Sequence, residues 1–147
     1  MSRTHFSGPL TTGEKHAGQA GGPNWGYVVL TQSITLTQNG ANAVSGAINL
    51  PAGVQLIDFR PDVTTAFDSA TSATLTVGVA AAGTDYVSGV NAKTAGRASP
   101  SYSAAQLAAM LNTGTNTVLT ATVTPVGATT AGSVTVTVTY AQKANND

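Results

Sequence analysis

A chain of 147 residues has room for one domain with a core of its own and not for two, and such a domain buries roughly two thirds of its unfolded surface. Only 8% of the residues are charged, and six Lys and Arg cancel six Asp and Glu, where globular domains ordinarily carry about a quarter charged residues. This excludes the basic stripe with which nucleic-acid binders neutralise phosphates, and the lack of cysteine excludes disulfides and thiolate metal sites.

The N-terminus holds no apolar run of the length a secretory signal needs, and no stretch approaches a membrane span. Synthesis in the cytoplasm without export or a membrane partner is the expectation. A surface of Thr, Ser, Asn and Gln with zero net charge offers little electrostatic protection against association, which points to life in an assembly.

Residues 1–26 follow neither a helical nor a strand period and are punctuated by glycines and by Pro9 and Pro23. They read as an extended Gly-rich arm. Phe6, Leu10 and Trp25 interrupt it; a free tail has no use for large apolar side chains, whereas an arm laid on a partner uses them as anchors.

From Tyr27 the chain alternates with period two. Val28, Leu30, Ile34 and Leu36 share a face with Gln32, and a second strand, 43–50, carries Val44, Gly46, Ile48 and Leu50 on its apolar face. Asn39-Gly40 predicts a hairpin between the two. Matching apolar faces across it requires a three-residue loop with Gly40 left-handed, a G1 bulge, so that Leu36 lies opposite Val44.

In the strand 54–60, alternation places Ile57 and Phe59 on one side and Leu56, Asp58 and Arg60 on the other, with Pro61 ending the ladder or confining it to an edge. Residues 73–79 form a strand with Leu75, Val77 and Val79 inward. A short strand is expected around Tyr86-Val87, and 93–102 reads as loop with at most an edge strand.

Ser103 and Gln106 have the spacing of a capping box, which starts a helix over 104–111 that Gly114 stops. Two turns cannot stand alone, so Leu107, Met110 and Leu111 are expected to pack on a sheet or close one end of a sandwich. Residues 117–123 form a strand with Leu119, Ala121 and Val123 inward, and a Pro- and Gly-containing connection leads to the Ser133–Tyr140 strand.

In that last strand Val134, Val136, Val138 and Tyr140 face one way and Thr135, Thr137 and Thr139 the other. Face matching makes it the second arm of a long-looped hairpin, with Val123 opposite Val134. Its threonine face lacks the lysines that guard an exposed edge, so the strand is expected in the middle of a sheet or against another subunit.

These elements predict an all-β fold: a two-sheet antiparallel sandwich or jelly roll with one short helix. The arm spans 1–26, the sandwich 27–143 and a C-terminal tail 144–147.

Little in the sequence suggests chemistry. His5 and His16 lie in the arm without metal-ligand spacing, and the acids at Asp62, Asp68 and Asp85 fit no calcium loop. Asp58, Arg60 and Asp62 share one strand face if the strand continues through Pro61. An arginine between two carboxylates favours their ionised forms, so the triplet reads as a structural or interface ion pair and not as an acid and base. No catalytic residue, metal or cofactor is expected.

Phe6-Ser-Gly-Pro-Leu10 and the arm, Tyr27-Val-Val-Leu, Leu56-Ile-Asp-Phe-Arg60 leading to Thr74-Leu-Thr-Val-Gly78, Gly83-Thr-Asp-Tyr-Val-Ser-Gly89 and the closing Ala131–Tyr140 stretch together resemble small head proteins of tailed phages. More narrowly, the chain resembles capsid cement, or head decoration, proteins such as the jelly-roll protein of the Bordetella phage. The resemblance implies a virion protein, made in the host cytoplasm, that binds the outer surface of the head through the major capsid protein. It also implies a homodimer or homotrimer that bridges capsomers against DNA pressure. A tail, baseplate or head-fibre component would share these features. A carbohydrate-binding jelly roll for host attachment would need loop aromatics, for which Tyr86 and Tyr102 are the candidates.

Overall fold

The computed structural model describes residues 27–143, in which eight strands and one helix follow one another. They are β1 (Tyr27–Thr37), β2 (Val44–Asn49), β3 (Gln55–Thr65), β4 (Ser72–Gly78), β5 (Val87–Asn91), β6 (Gly96–Arg97), α1 (Ala104–Met110), β7 (Val118–Val126) and β8 (Ser133–Lys143). The strands form two four-stranded antiparallel sheets, ordered β1-β8-β3-β6 and β2-β7-β4-β5. Only β4 and β5 are both consecutive and paired; every other connection crosses from one sheet to the other, which is the eight-stranded jelly roll.

The core lies between the two sheets. Val134, Val136 and Val138 of β8 and Leu119, Ala121 and Val123 of β7 are fully buried, so the period-two reading of both strands holds. β8 runs between β1 and β3, mid-sheet as its unguarded threonine face implied.

Neither expected hairpin forms. Leu36 lies opposite Val134 instead of Val44, and Val123 lies between Val44 and Leu75 instead of opposite Val134. Face matching demands partners of the same parity but does not choose among strands that all present an apolar face. Gly40 does take the left-handed conformation, with φ +61°, but the turn carries the chain across the core gap. The apolar faces of β1 and β2 then meet across that gap: a Cβ on Gly46 would overlap the end of Ile34 and lie 2.9 Å from Leu36 Cδ2.

β3 departs from simple alternation. Its register against β8 shifts between Leu56 and Asp58, and this bulge inverts the parity of the residues beyond it. Leu56 and Phe59 are therefore both buried while Ile57 is exposed, so Phe59 shares its side with Leu56 and not, as simple alternation expected, with Ile57. Pro61 does not end the strand, which continues to Thr65. The Pro61 carbonyl accepts from Ala98 N, and in an antiparallel strand the N and O of one residue point to the same side. The missing N–H therefore faces the two-residue edge strand β6, and the ladder to β8 is undisturbed.

α1 has the expected capping box, with Ser103 Oγ accepting from Gln106 N and Gln106 Oε1 accepting from Ser103 N. Its buried side is Gln106 and Met110, four residues apart, whereas Leu107 and Leu111 are exposed, contrary to the expected packing. Gln106 turns inward because its amide finds partners there, donating to Thr84 O and Ser88 Oγ. Val79, expected inward, lies beyond the end of β4 and is exposed; β7 continues through Pro125 to Val126, where a connection was expected.

Candidate functional site

The outer face of the β1-β8-β3-β6 sheet carries a polar lattice fixed by register. Thr31, Thr139 and Asp58 form one row; Ser33, Thr137 and Arg60 the next; Thr35, Thr135 and Asp62 the third, which Arg97 of β6 extends. Ser33 and Thr137 share a hydroxyl hydrogen bond of 2.9 Å, as do Thr35 and Thr135. Such cross-strand pairs stabilise a sheet without charge.

The structure places Asp58, Arg60 and Asp62 on one face of β3 and adds a partner to each acid. Asp62 accepts from Arg60 Nε at 3.2 Å and from Arg97 Nε at 2.9 Å. The Arg97 hydrogen bond, above the weaker effects of Arg60, holds the Asp62 carboxyl below its ordinary range. Asp58 accepts from the Tyr102 hydroxyl at 2.9 Å, and that hydroxyl accepts from Phe59 N at 3.1 Å. Burial chiefly, with the Asp58 carboxylate adding to it, pushes the Tyr102 phenol up to about 12.

The cluster is thus two acids and two arginines, neutral in sum, half open to water. Chemically it can hold ion pairs and exchange them with a protein surface of mixed charge. An acid that stays protonated near neutrality, as proton-transfer chemistry needs, is not what this arrangement produces at Asp62. Among the described residues no group of three or more His, Asp or Glu is placed to hold a metal ion. Sequence reasoning missed Arg97 because it stands alone in a polar loop, 35 residues from Asp62, and only the β3–β6 pairing brings the two together.

The aromatics proposed for sugar stacking do not offer open faces. Tyr86 is buried at 2% exposure against Phe59, with ring centroids 6.1 Å apart. Tyr102 is partly buried against the core with its hydroxyl occupied. The cleft between β5 and the 94–101 segment is lined by residues such as Ser88, Asn91, Thr94 and Arg97, without an aromatic side chain.

A second surface feature lies at the start of β1, where Tyr27, Val28, Val29 and Leu30 are all exposed. Phe6, Leu10 and Trp25, the expected arm anchors, lie outside the described residues, as does the 144–147 tail.

No family model matches the chain, and no curated protein matches it. Among solved structures it is similar to a chain of the cyanophage Pam1 capsid asymmetric unit, at 25% sequence identity and a TM-score of 0.51, with 87% of this chain and 93% of that chain covered.

Proposed function

We propose that this protein is a structural, non-enzymatic component of a phage virion, and more narrowly a cement protein on the outer surface of the head. The observation that carries the reading is the similarity to a chain of a phage capsid asymmetric unit, which extends over nearly the whole of both chains. The jelly roll agrees with it, and so does the outer sheet face, where Asp62 pairs with Arg60 and Arg97, and Asp58, held by Tyr102, stands on the same face beside a threonine lattice. In this reading the face meets the major capsid protein, and the 1–26 arm, through Phe6, Leu10 and Trp25, reaches a neighbouring subunit. The protein is made in the host cytoplasm, needs no cofactor, and bridges capsomers as a homo-oligomer. Binding partners that recognise only the folded chain add to its stability.

The test is an image of the particle that carries the protein, together with heads that lack it. The reading expects many icosahedrally arranged copies outside the shell, and heads without the protein that release DNA at lower temperature or on osmotic shock. Copies confined to the tail or baseplate, or heads of unchanged stability, would overturn it.

A further inference from the structure

The turn that carries the chain from β1 to β2 holds the one Asn-Gly pair in the sequence, Asn39-Gly40, and both residues are exposed. Gly40 is left-handed, with φ +61°, and a Cβ built on it would meet no atom within 4 Å beyond its chain neighbours. The turn is held by the Gly40 carbonyl, which accepts from Gln38 Nε2, and by Gln38 N, which donates to Gly132 O. Among the described residues neither the Gly40 N–H nor the Asn39 side-chain amide has a hydrogen-bond partner.

Asparagine is chemically labile, and most other asparagines in the described residues are guarded. The amide nitrogen that follows Asn49, that of Leu50, donates to Thr117 O. The nitrogens that follow Asn91 and Asn112, those of Ala92 and Thr113, donate to Ala73 O and Val54 O. Asn91 and Asn112 also commit their side-chain oxygens to Lys93 N and Gly114 N. Asn42 and Asn116 are exposed, but Ala43 and Thr117 follow them, and a residue with a Cβ lacks the backbone freedom and close approach that glycine allows.

We infer that Asn39 is a site of spontaneous deamidation in the folded protein, through attack of the Gly40 nitrogen on the Asn39 side-chain amide. The Gly40 nitrogen bonds to Asn39 Cγ, the bond from Cγ to Nδ2 breaks, and the Gly40 proton leaves with that nitrogen as ammonia. The cyclic imide then takes up one water. Opening at the side-chain carbonyl leaves an aspartate; opening at the main-chain carbonyl leaves an isoaspartate, whose backbone runs through the former side chain. Nothing is oxidised or reduced. Either product puts a carboxylate on a chain whose formal net charge is zero. The isoaspartate also adds a methylene to the turn that sets β2 against β1, where Gly46 packs under Ile34 and Leu36. The reaction belongs to the chain itself and does not depend on the proposed function.

The test ages the folded full chain in mildly alkaline buffer beside the same chain unfolded in urea. Isoelectric focusing and peptide mass mapping with fragmentation read the products. The folded wild type is expected to give a growing acidic species, with the mass gain of an amide turned acid located at Asn39. Protein isoaspartyl methyltransferase is expected to label the same position. Asn39→Gln, whose extra methylene slows ring closure, is expected to lose the label there and most of the acidic species, with an unchanged circular dichroism spectrum. The inference is overturned by a folded wild type that gains no acid at Asn39 over the time in which the unfolded chain does. Conversion at Asn42, Asn49 or Asn116 as fast as at Asn39 also overturns it, as does an Asn39→Gln variant that turns acidic as fast as the wild type. Site assignment in the wild type decides the matter even if the variant does not fold.

Discussion

Asp68 Oδ1 accepts a hydrogen bond from Thr129 Oγ1 at 2.7 Å, tying the β3–β4 connection to the loop between β7 and β8. The same carboxylate accepts from Thr130 N, Thr130 Oγ1 and Ala131 N. One side chain thus organises the crossing that delivers the chain into β8.

These bonds, led by the Thr130 hydroxyl, hold the Asp68 carboxyl well below its ordinary value of 3.8. A depressed folded-state pKa means that the stabilisation is fully present above the unfolded value and is lost as pH falls toward the folded one. Asp68→Asn is therefore expected to lower Tm at neutral pH, and the gap to the wild type should shrink as the pH drops below 3.8. Thermal melts of both proteins over acidic pH check this; a gap that does not change with pH would refute the charge-assisted role.

Tyr102 titrates in the opposite sense. Its folded pKa, about 12, lies above the ordinary 10.0, so its contribution is complete below pH 10 and is lost as pH rises through 12. Tyr102→Phe should cost about 1–2 kcal/mol near neutrality by leaving Phe59 N and Asp58 without their partner. It should also flatten the alkaline decline in stability. Urea titrations from neutral to alkaline pH, with phenolate absorbance followed in parallel, measure both effects.

Gly132 and Gly46 both sit where a Cβ has no room, and they should differ. A Cβ on Gly132 would run into the ring of Phe67, which is itself buried at 1% exposure and cannot swing away. Gly132→Ala is expected to cost about 1–3 kcal/mol, the usual range for overpacking. Gly46→Ala meets the flexible ends of Ile34 and Leu36 and should cost less. Denaturant midpoints of the two variants, compared side by side, test the order.

The leucines around α1 and β7 make a sharper contrast. Leu119 is fully buried and Leu111 is 66% exposed. Leu119→Ala should cost about 2–5 kcal/mol through lost transfer energy and the cavity left behind, whereas Leu111→Ala should change stability by less than about 0.5 kcal/mol. Comparable losses at both positions would mean that Leu111 is covered in the assembled protein.

Four local facts were legible in the residues alone: that Val134, Val136 and Val138 share a buried face, that Ser103 and Gln106 cap a helix, that Gly40 is left-handed, and that Asp58, Arg60 and Asp62 share one side of a strand. Each depends on neighbours within a few residues, where backbone geometry and side-chain alternation leave one answer. Tertiary structure decided which strands pair. Leu36 has the same face parity as Val44 and as Val134, and only the burial of two sheets against each other selects Val134. It also decided the bulge that buries Leu56 and exposes Ile57, the inward turn of Gln106 in place of Leu107, and the meeting of Asp62 with Arg97. These contacts join segments far apart in the chain, and the energy that chooses among equivalent pairings comes from packing that no local pattern records.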